Sequence, residues 1–404
     1  MKYIKKKLTI ENVNVDFIAK KYGTPTYCYS YAKLKKNIEN FKRSFQSFSP
    51  LICFAVKSNT NVNLIREIKR FGLGADVVSM GELMMAIKAG ISPKKIVFSG
   101  VGKTFEELLY AINKNIFLIN AESENEIKQI EKIAKLKKKK IEIGIRLNPN
   151  TDAKTLSQIS TGKKENKFGV NSKTFIQLVN NFKNSKNVEL KCLSVHIGSQ
   201  ILDHKPYEKM LNSIAKILDK VKYKFEFIDL GGGMGIPYNK DNKKLSYKKY
   251  CLAIKKFLKK YKSKIIFEPG RSIIGNTGTL ISKVIYIKKS ERKNFIILDA
   301  AMNDLMRPAL YGATHKILPS LKTGKISKKT YEFVGPICES TDKFITIKRF
   351  QELKEKNLIV MIDVGAYGMS LSSNYNLRPK PIELLIKGTK INVIKKRQKH
   401  KDLI

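Results

Sequence analysis

The chain has 404 residues, enough for two or three domains and a large core, and its hydrophobic content of 42% is that of an ordinary globular protein. Its five cysteines, Cys28, Cys53, Cys192, Cys251 and Cys338, are odd in number, widely spaced and without a Cys-x-x-Cys pair, so neither a disulfide framework nor a zinc site is indicated. The net charge of +45 is extreme, but the lysines are spread along almost every predicted helix and form no RNA-binding signature or single basic tail, so nucleic acid is not the expected partner. The basic start, Met1 to Leu8, leads into no apolar signal core, and no apolar run approaches the length of a membrane span. The expectation is a soluble, cytoplasmic protein in a reducing compartment, with no membrane partner and no metal.

In chain order, Val13 to Tyr22 has helical spacing and stops at Gly23, with Pro25 beyond it. Thr26 to Ser30 is a short β-like run, and Tyr31 to Phe45 returns to helical periodicity. A regular alternation follows. Strand-like runs occur at 51–56, 75–78, 96–98, 116–119, 141–147, 192–197, 225–230 and 265–267. Amphipathic stretches lie between them, at 81–89, 105–113, 124–136, 172–182, 206–221 and 247–261. Strand–helix alternation implies a parallel sheet, and eight units imply a closed (β/α)8 TIM barrel. An open doubly wound sheet is the runner-up, but it would carry a dinucleotide loop early in the chain, and none is there. After about Asn276 the texture changes to β-like runs separated by turns, at 279–287, 295–298, 331–334, 344–347, 358–362 and 382–386. The expected division is a barrel over 31–275 and a mainly β domain, a β-sandwich or β-barrel, made from 276–404 with the N-terminal segment 1–30 packed against it. The tail from Lys395 reads as a short basic end.

The chemistry of such a barrel gathers at the C-terminal ends of its strands. The first strand ends at Lys57, where apolar walls can lower an amine's pKa and make it nucleophilic, although a lysine there also suits a simple exit to solvent. The second leads to Ser79 and Glu82, and the fifth passes Arg146 to Asn148. The sixth ends in His196-Ile197-Gly198-Ser199-Gln200, the seventh in Gly231-Gly232-Gly233-Met234-Gly235, and the eighth in Glu268-Pro269-Gly270-Arg271. A glycine turn after strand seven can present backbone N–H groups to an anion, and Arg271 can add donors beside it. A lysine together with a phosphate cradle suggests pyridoxal 5'-phosphate held as a Schiff base. Glu268 beside the pyridine nitrogen would keep the ring protonated and electron-withdrawing, which suits decarboxylation, and His196 would lie flat against the ring. In the β domain, Arg307 and Tyr311 stand four apart and can hold one carboxylate together. Gly335 to Ser340 sets the thiol of Cys338 beside the carboxylate of Glu339, and Gly365-Ala366-Tyr367-Gly368 presents a tyrosine on a turn.

Together these residues resemble the diaminopimelate decarboxylases, a family of the alanine-racemase-like pyridoxal phosphate fold (fold type III). The resemblance runs from Gly23-Thr24-Pro25 to about Leu385. It is carried by Ala55-Val56-Lys57-Ser58-Asn59, Asp76-Val77-Val78-Ser79, Ser99-Gly100-Val101-Gly102-Lys103-Thr104, Arg146-Leu147-Asn148-Pro149, Ser160-Thr161-Gly162, Lys167-Phe168-Gly169 and the strand-end motifs above. It implies that Lys57 holds the cofactor covalently and His196 stacks on its ring. Glu268 would pair with the ring nitrogen, and Ser199, Gly233 and Gly270 would hold the phosphate, with Tyr367 beside it. Gly232, Pro269 and Arg271 join the cofactor contacts. Arg271, Arg307 and Tyr311, with Tyr367 nearby, would grip the retained carboxylate of meso-2,6-diaminopimelate. Glu339 would take its distal ammonium, and Cys338 would return a proton after carbon dioxide leaves. Cys338 and Glu339 would reach into a partner subunit's site, which implies an obligate homodimer with shared sites. The implied reaction yields L-lysine and carbon dioxide, the last step of lysine biosynthesis by the diaminopimelate route. The chain departs from the family pattern at Leu156, where a histidine usually stands, and at Met80, usually glycine.

The closest rivals are fold type III decarboxylases acting on ornithine, arginine or a carboxylated polyamine such as carboxynorspermidine. Ornithine-type chains tend to have aspartate after the cysteine, where this chain has Glu339. Racemases of similar fold place an arginine at the ring nitrogen, whereas Glu268 is available here. A non-catalytic, regulatory pyridoxal phosphate protein would be expected to lack Lys57 or Cys338, and both are present.

Overall fold

The structure, a computed structural model, describes residues 1–153, 155–239 and 244–404. It divides into two compact units. One is β-rich and comprises Met1–Asn37 and Ile274–Ile404 together with Tyr238; the other comprises Ile38–Pro237 and residues 244–273.

The chain begins in the β-rich unit with a three-stranded antiparallel sheet, β1 (Lys2–Ile4), β2 (Lys7–Ile10) and β3 (Val13–Asn14). Helix α1 (Val15–Tyr22) follows, its first turn capped by the Asn14 side chain, which accepts from the Asp16 N–H at 2.7 Å. Strand β4 (Thr26–Ser30) is buried throughout, and α2 (Tyr31–Phe45) carries the chain into the second unit.

That unit is a closed parallel barrel of eight strands: β5 (Leu51–Ala55), β6 (Gly74–Val77), β7 (Ile96–Phe98), β8 (Leu118–Ala121), β9 (Ile141–Arg146), β10 (Val188–Ser194), β11 (Phe227–Asp229) and β12 (Lys264–Phe267). β12 pairs with β5 through Phe267 and Ile52 and closes the ring. The intervening helices are α3 (Val62–Arg70), α4 (Met80–Lys88), α5 (Phe105–Asn113), α6 (Glu124–Leu136), α7 (Ser172–Phe182), α8 (Lys205–Val221) and α9 (Tyr247–Tyr261). Six of the seven start on a polar side chain that accepts a first-turn N–H, namely Asn61, Ser79, Thr104, Ser123, Asn171 and Ser246. These caps set the boundaries that hydrophobic spacing alone leaves loose by a residue or two.

Inside the barrel, Cys53, Val97, Leu118, Cys192 and Ile266 form one buried layer, packed toward the strand N-termini against Leu51, Phe117 and Phe227. The apolar filling closes the barrel beneath the polar strand ends, so Asp76, Asp229 and Glu268 are buried there. Strand β10 starts four residues before its expected position. Exposed-face Glu189 and Lys191 alternate with buried Val188, Leu190 and Cys192, and the chain leaves the sheet after Ser194, so that His196 stands in a loop. Between helices and sheet, Phe45 packs its ring 4.7 Å from Phe267, 5.4 Å from Tyr247 and 5.8 Å from Tyr250.

After the short helix α10 (Arg271–Ile274) the β-rich unit resumes. Strands β13 (Gly278–Lys289) and β14 (Lys293–Leu298) come first, then α11 (Arg307–Tyr311) and β15 (Ile317–Pro319). Then follow β16 (Thr330–Val334), β17 (Lys343–Ile347), β18 (Leu358–Ile362), β19 (Ile382–Lys387) and β20 (Lys390–Lys395). They form one nine-stranded sheet in which β4 lies between β13 and β19, antiparallel to the first and parallel to the second, while β18 pairs with β13 and β15. Val15, Ile18 and Cys28 of the N-terminal segment share a core with Ile281, Val360 and Leu384. The first three strands, β15 and β20 are absent from the sequence reading, because they are short or lysine-interrupted and show no clean alternation. Among the described residues no helix is long and apolar enough to cross a membrane.

Phe45→Ala removes the ring that links α2, α9 and β12. A buried phenylalanine truncated to alanine costs about 3–5 kcal/mol. Calorimetry of the variant should show the melting temperature lowered by roughly 6–20 °C; an unchanged transition would contradict the packing described.

Candidate active site

Beyond Ala55 the chain turns through a single 3-10 turn, Val56–Ser58, and this puts Lys57 at the barrel mouth. The Lys57 Nζ lies 2.5 Å from Oδ2 of Asp76 on β6. Asp76 is fully buried, whereas the Lys57 side chain is 32% exposed. Two more carboxylates share the mouth, Asp229 on β11 and Glu268 just after β12. Asn120 on β8 donates to Asp229 Oδ2 at 3.0 Å and to Ser99 Oγ at 3.1 Å. Ser194 donates to Asp229 Oδ2 at 3.1 Å, and the Gly231 N–H to its Oδ1 at 2.9 Å. Ser99 donates to Glu268 Oε1 at 3.5 Å. Burial, followed by the charges of Asp229 and Asp76, holds the Glu268 carboxyl well above the ordinary range, with Lys57 opposing. Burial also raises Asp229, which is hydrogen-bonded to Glu268. The pair therefore keeps a proton, and Glu268 carries it.

The loop after β10 and the turn after β11 are tied together. The Gly232 N–H donates to Nδ1 of His196 at 3.0 Å. That bond assigns the lone pair to Nδ1 and the proton to Nε2. Burial, Arg146 and Lys57 hold the ring's pKa well below its usual value, so His196 is a neutral imidazole. The turn must be glycine. A Cβ on Gly232 would lie 2.1 Å from the Glu268 carbonyl oxygen, and Gly233 has φ +86° with its Cβ position 2.4 Å from the Gly198 carbonyl oxygen. Arg271, buried at the start of α10, donates from Nη2 to Ser199 Oγ at 3.0 Å. The Pro269 carbonyl accepts from the Ala55 N–H at 3.1 Å, and Gly270 packs against Ser58, where a Cβ would stand 3.0 Å from the serine Cβ. The barrel thus brings Lys57, His196, Ser199, Gly232, Gly233, Glu268, Pro269, Gly270 and Arg271 onto neighbouring strand ends.

The remaining candidates lie in the β-rich unit. Arg307 and Tyr311 occupy the first and last positions of α11. Arg307 is buried, its Nη1 2.8 Å from His315 Nε2 and its guanidinium 4.7 Å from the Tyr238 ring centroid. His315 Nδ1 faces the Ile362 carbonyl at 3.0 Å, so Nδ1 holds the proton and Nε2 accepts from Arg307. Cys338 is exposed, with its Sγ 3.7 Å from Asn376 Oδ1. Glu339 accepts from the Tyr375 hydroxyl and, at 3.1 Å, from Thr341. Tyr367 sits at φ +57° in its turn. Leu156 is 49% exposed, and Met80 opens α4, its N–H donating to Glu107 Oε1 at 2.9 Å.

A cavity of about 400 Å³ opens at the barrel mouth, lined among others by Lys57, Ser99, Arg146, Phe168, His196 and Glu268. These residues fit pyridoxal 5'-phosphate. An amine reaches the cavity, a proton-bearing carboxyl lies across from it, a neutral imidazole borders it, and a glycine turn that no side chain could replace adjoins that imidazole. Asn120 and Asp229 are site residues that the sequence reading passed over. Their signal was present, since each is a polar residue inside an otherwise apolar strand run, Leu118-Ile119-Asn120-Ala121 and Phe227-Ile228-Asp229-Leu230.

Residues 31–275 match the family described as pyridoxal-dependent decarboxylase, pyridoxal binding domain. The chain is 42% identical over 393 residues to a diaminopimelate decarboxylase of Helicobacter pylori, covering 96% of this chain and 97% of that one. It is 38% identical over 403 residues to the diaminopimelate decarboxylase of Aquifex aeolicus, covering 99% and 95%. A crystal structure of diaminopimelate decarboxylase from Helicobacter pylori complexed with L-lysine superimposes with a TM-score of 0.92 at 42% identity, covering 96% of this chain and 98% of that one.

Glu82, in the first turn of α4, accepts from the Val78 N–H at 3.0 Å. Its carboxyl is raised from 4.5 to about 7, chiefly by burial, with Lys57 opposing. The folded form binds this proton more tightly than the unfolded chain does. The stabilisation is therefore full below the unfolded pKa of about 4.5 and is lost as pH rises through about 7. Urea midpoints measured at about pH 5 and pH 8 should fall less in Glu82→Gln than in the parent. An equal fall in both would show that Glu82 is not held protonated.

Proposed function

Because the chain belongs to the pyridoxal-dependent decarboxylases and, within them, to the diaminopimelate decarboxylases, we propose that it removes carbon dioxide from meso-2,6-diaminopimelate to give L-lysine, with pyridoxal 5'-phosphate as cofactor. The observation that carries this reading is the near-full-length likeness to enzymes of that name, one of them seen with L-lysine, combined with an amine and a protonated carboxyl facing one barrel cavity. Lysine made this way serves its biosynthesis.

When bound, the cofactor supplies an electron sink for the pair of electrons left on the α-carbon as carbon dioxide departs. The chain's residues prepare that chemistry. Lys57 would provide the amine that holds the cofactor, its Nζ placed by Asp76. Glu268 would pair with the ring nitrogen, and burial, followed by the charges of Asp229 and Asp76, holds its carboxyl well above the ordinary range. His196 presents a neutral ring face, held by its bond from Gly232. Ser199, Gly232, Gly233, Pro269, Gly270 and Arg271 form the phosphate side of the cofactor site, with Tyr367 completing it. Arg271, Arg307, Tyr311 and Tyr367 hold the carboxylate that the product keeps, and Glu339 takes the distal ammonium.

Cys338 delivers the proton that replaces the lost carboxylate. It and Glu339 act in the site of a partner subunit, and the working form is a homodimer. The exposure of Cys338, Leu310, Tyr375 and Leu377 in the β-rich unit supports this reading. Five free thiols favour a reducing compartment, and the cytoplasm is the proposed location. A decarboxylase for ornithine or arginine is disfavoured by the identity to the diaminopimelate enzymes.

Purified protein given cofactor and meso-diaminopimelate should release L-lysine and carbon dioxide in equal amounts. Lys57→Ala should lose turnover, and borohydride should no longer fix the cofactor to the chain; full activity in that variant would overturn the assignment. Arg307→Ala should raise KM by roughly 10–100-fold, the worth of a charge-assisted carboxylate contact, with cofactor affinity little changed. Equal loss of both would move Arg307 out of the substrate pocket.

A further inference from the structure

Four charged side chains run in a buried line behind the cavity. Lys103, in the loop between β7 and α5, has its Nζ 2.8 Å from Oε1 of Glu126 on α6. The same Nζ donates to the carbonyls of Gly100 and Asn120 at 2.6 and 2.8 Å. Glu126 Oε2 accepts the N–H of Glu122 at 2.9 Å. Glu122, the residue just past β8, is itself buried and gathers donors from two other segments. Its Oε1 accepts Arg146 Nη1 at 2.7 Å and the Gly100 N–H at 3.0 Å. Its Oε2 accepts the Gly169 N–H at 2.9 Å. The line carries two positive and two negative groups, so the set is neutral, as burial of charge requires.

The two ends of this line differ in what they hold. Lys103 and Glu126 do not border the cavity. Glu122 does not border it either, but the groups bonded to it do or adjoin it: Gly100, Arg146, and Gly169 next to Phe168. Arg146 also lies 4.9 Å from the Phe168 ring centroid, so the guanidinium and that ring form one wall. Gly169 has φ +65°, and a Cβ there would stand 2.8 Å from the Arg146 carbonyl oxygen. The loop therefore reaches Glu122 by backbone alone.

We infer that Glu122 is a positioning residue of the cofactor site. One carboxylate at the end of β8 fixes the loop after β7, the loop after β9 and the Arg146 guanidinium, and so sets the wall against which the cofactor ring is oriented. The inference rests on the cofactor site proposed above and extends it to a residue that touches no ligand. The requirement is for an acceptor on both oxygens and for negative charge. A glutamine at this place offers one oxygen and turns an amide donor toward one of three donors. It also leaves Arg146 without its countercharge.

The test compares Glu122→Gln with Lys103→Met, which breaks the other end of the same buried line. Each protein is loaded with pyridoxal 5'-phosphate. Three quantities are read: the cofactor dissociation constant, the visible circular-dichroism band per bound cofactor, and the melting temperature of the cofactor-free chain. Both variants should melt lower. Only Glu122→Gln should weaken cofactor binding by about tenfold or more and lose most of the dichroic band, as expected for a displaced wall. Wild-type affinity and band in Glu122→Gln would overturn the inference, as would equal losses in Lys103→Met, which would mean a general loosening of the barrel. If Glu122→Gln does not fold, Glu122→Asp takes its place; it keeps the charge but is too short to reach both loops, and the same pattern is expected. A parent protein that binds no cofactor would remove the functional reading itself, an outcome distinct from a parent that binds and a variant that binds equally well.

Discussion

Three carboxylates, Asp76 on β6, Asp229 on β11 and Glu268 just past β12, stand at the top of an apolar barrel, and Lys57, from the end of β5 between β12 and β6, meets them. Buried acids at such spacing cannot all ionise. Lys57 pairs with Asp76, while Asn120, Ser194 and the Gly231 N–H satisfy Asp229. Glu268 is left to keep its proton. The division of labour is electrostatic and follows from position. Asp76 is the acid that meets the lysine, and Glu268, buried and hydrogen-bonded to Asp229, is the acid held well above the ordinary range. In the proposed function a ring nitrogen would need a proton and a carbonyl-bearing cofactor would need an amine, and this one arrangement of charges suits both.

The closed barrel makes that arrangement affordable in structural terms. Its parallel strands all point their C-terminal ends at one mouth, and the buried layer of Cys53, Val97, Leu118, Cys192 and Ile266 excludes water from below. The turn after β11 then works by what it lacks. Without a side chain on Gly232 its backbone can pass close to the Glu268 carbonyl and donate to His196, which fixes the tautomer of the imidazole bordering the cavity. Each polar group at the mouth is held by a neighbour from a different strand, so the site inherits the rigidity of the sheet.

Much of this was legible in the sequence. Alternating strands and helices disclosed the barrel, and Lys57, His196, the glycine turn and Glu268 were readable because strand ends are where such a fold keeps its chemistry. Asp229 was hidden inside a run read as strand, where the eye follows apolar residues, and Asn120 lay just past the end of another, read as 116–119 although the strand continues to Ala121. Glu122 could not be read at all. It precedes a helix like many acidic residues, and its importance lies in accepting from Gly100, Arg146 and Gly169, which are brought together only by the fold. Strand β10 was shifted because its outward face carries Glu189 and Lys191, and the N-terminal sheet was missed because its strands are two to four residues long.

The most direct measurement is a competition. Purified protein with pyridoxal 5'-phosphate is offered meso-diaminopimelate, ornithine and arginine together, and the amine products are identified. L-lysine is the expected dominant product. Putrescine or agmatine as the dominant product would leave the barrel and cofactor in place but contradict the assignment of substrate.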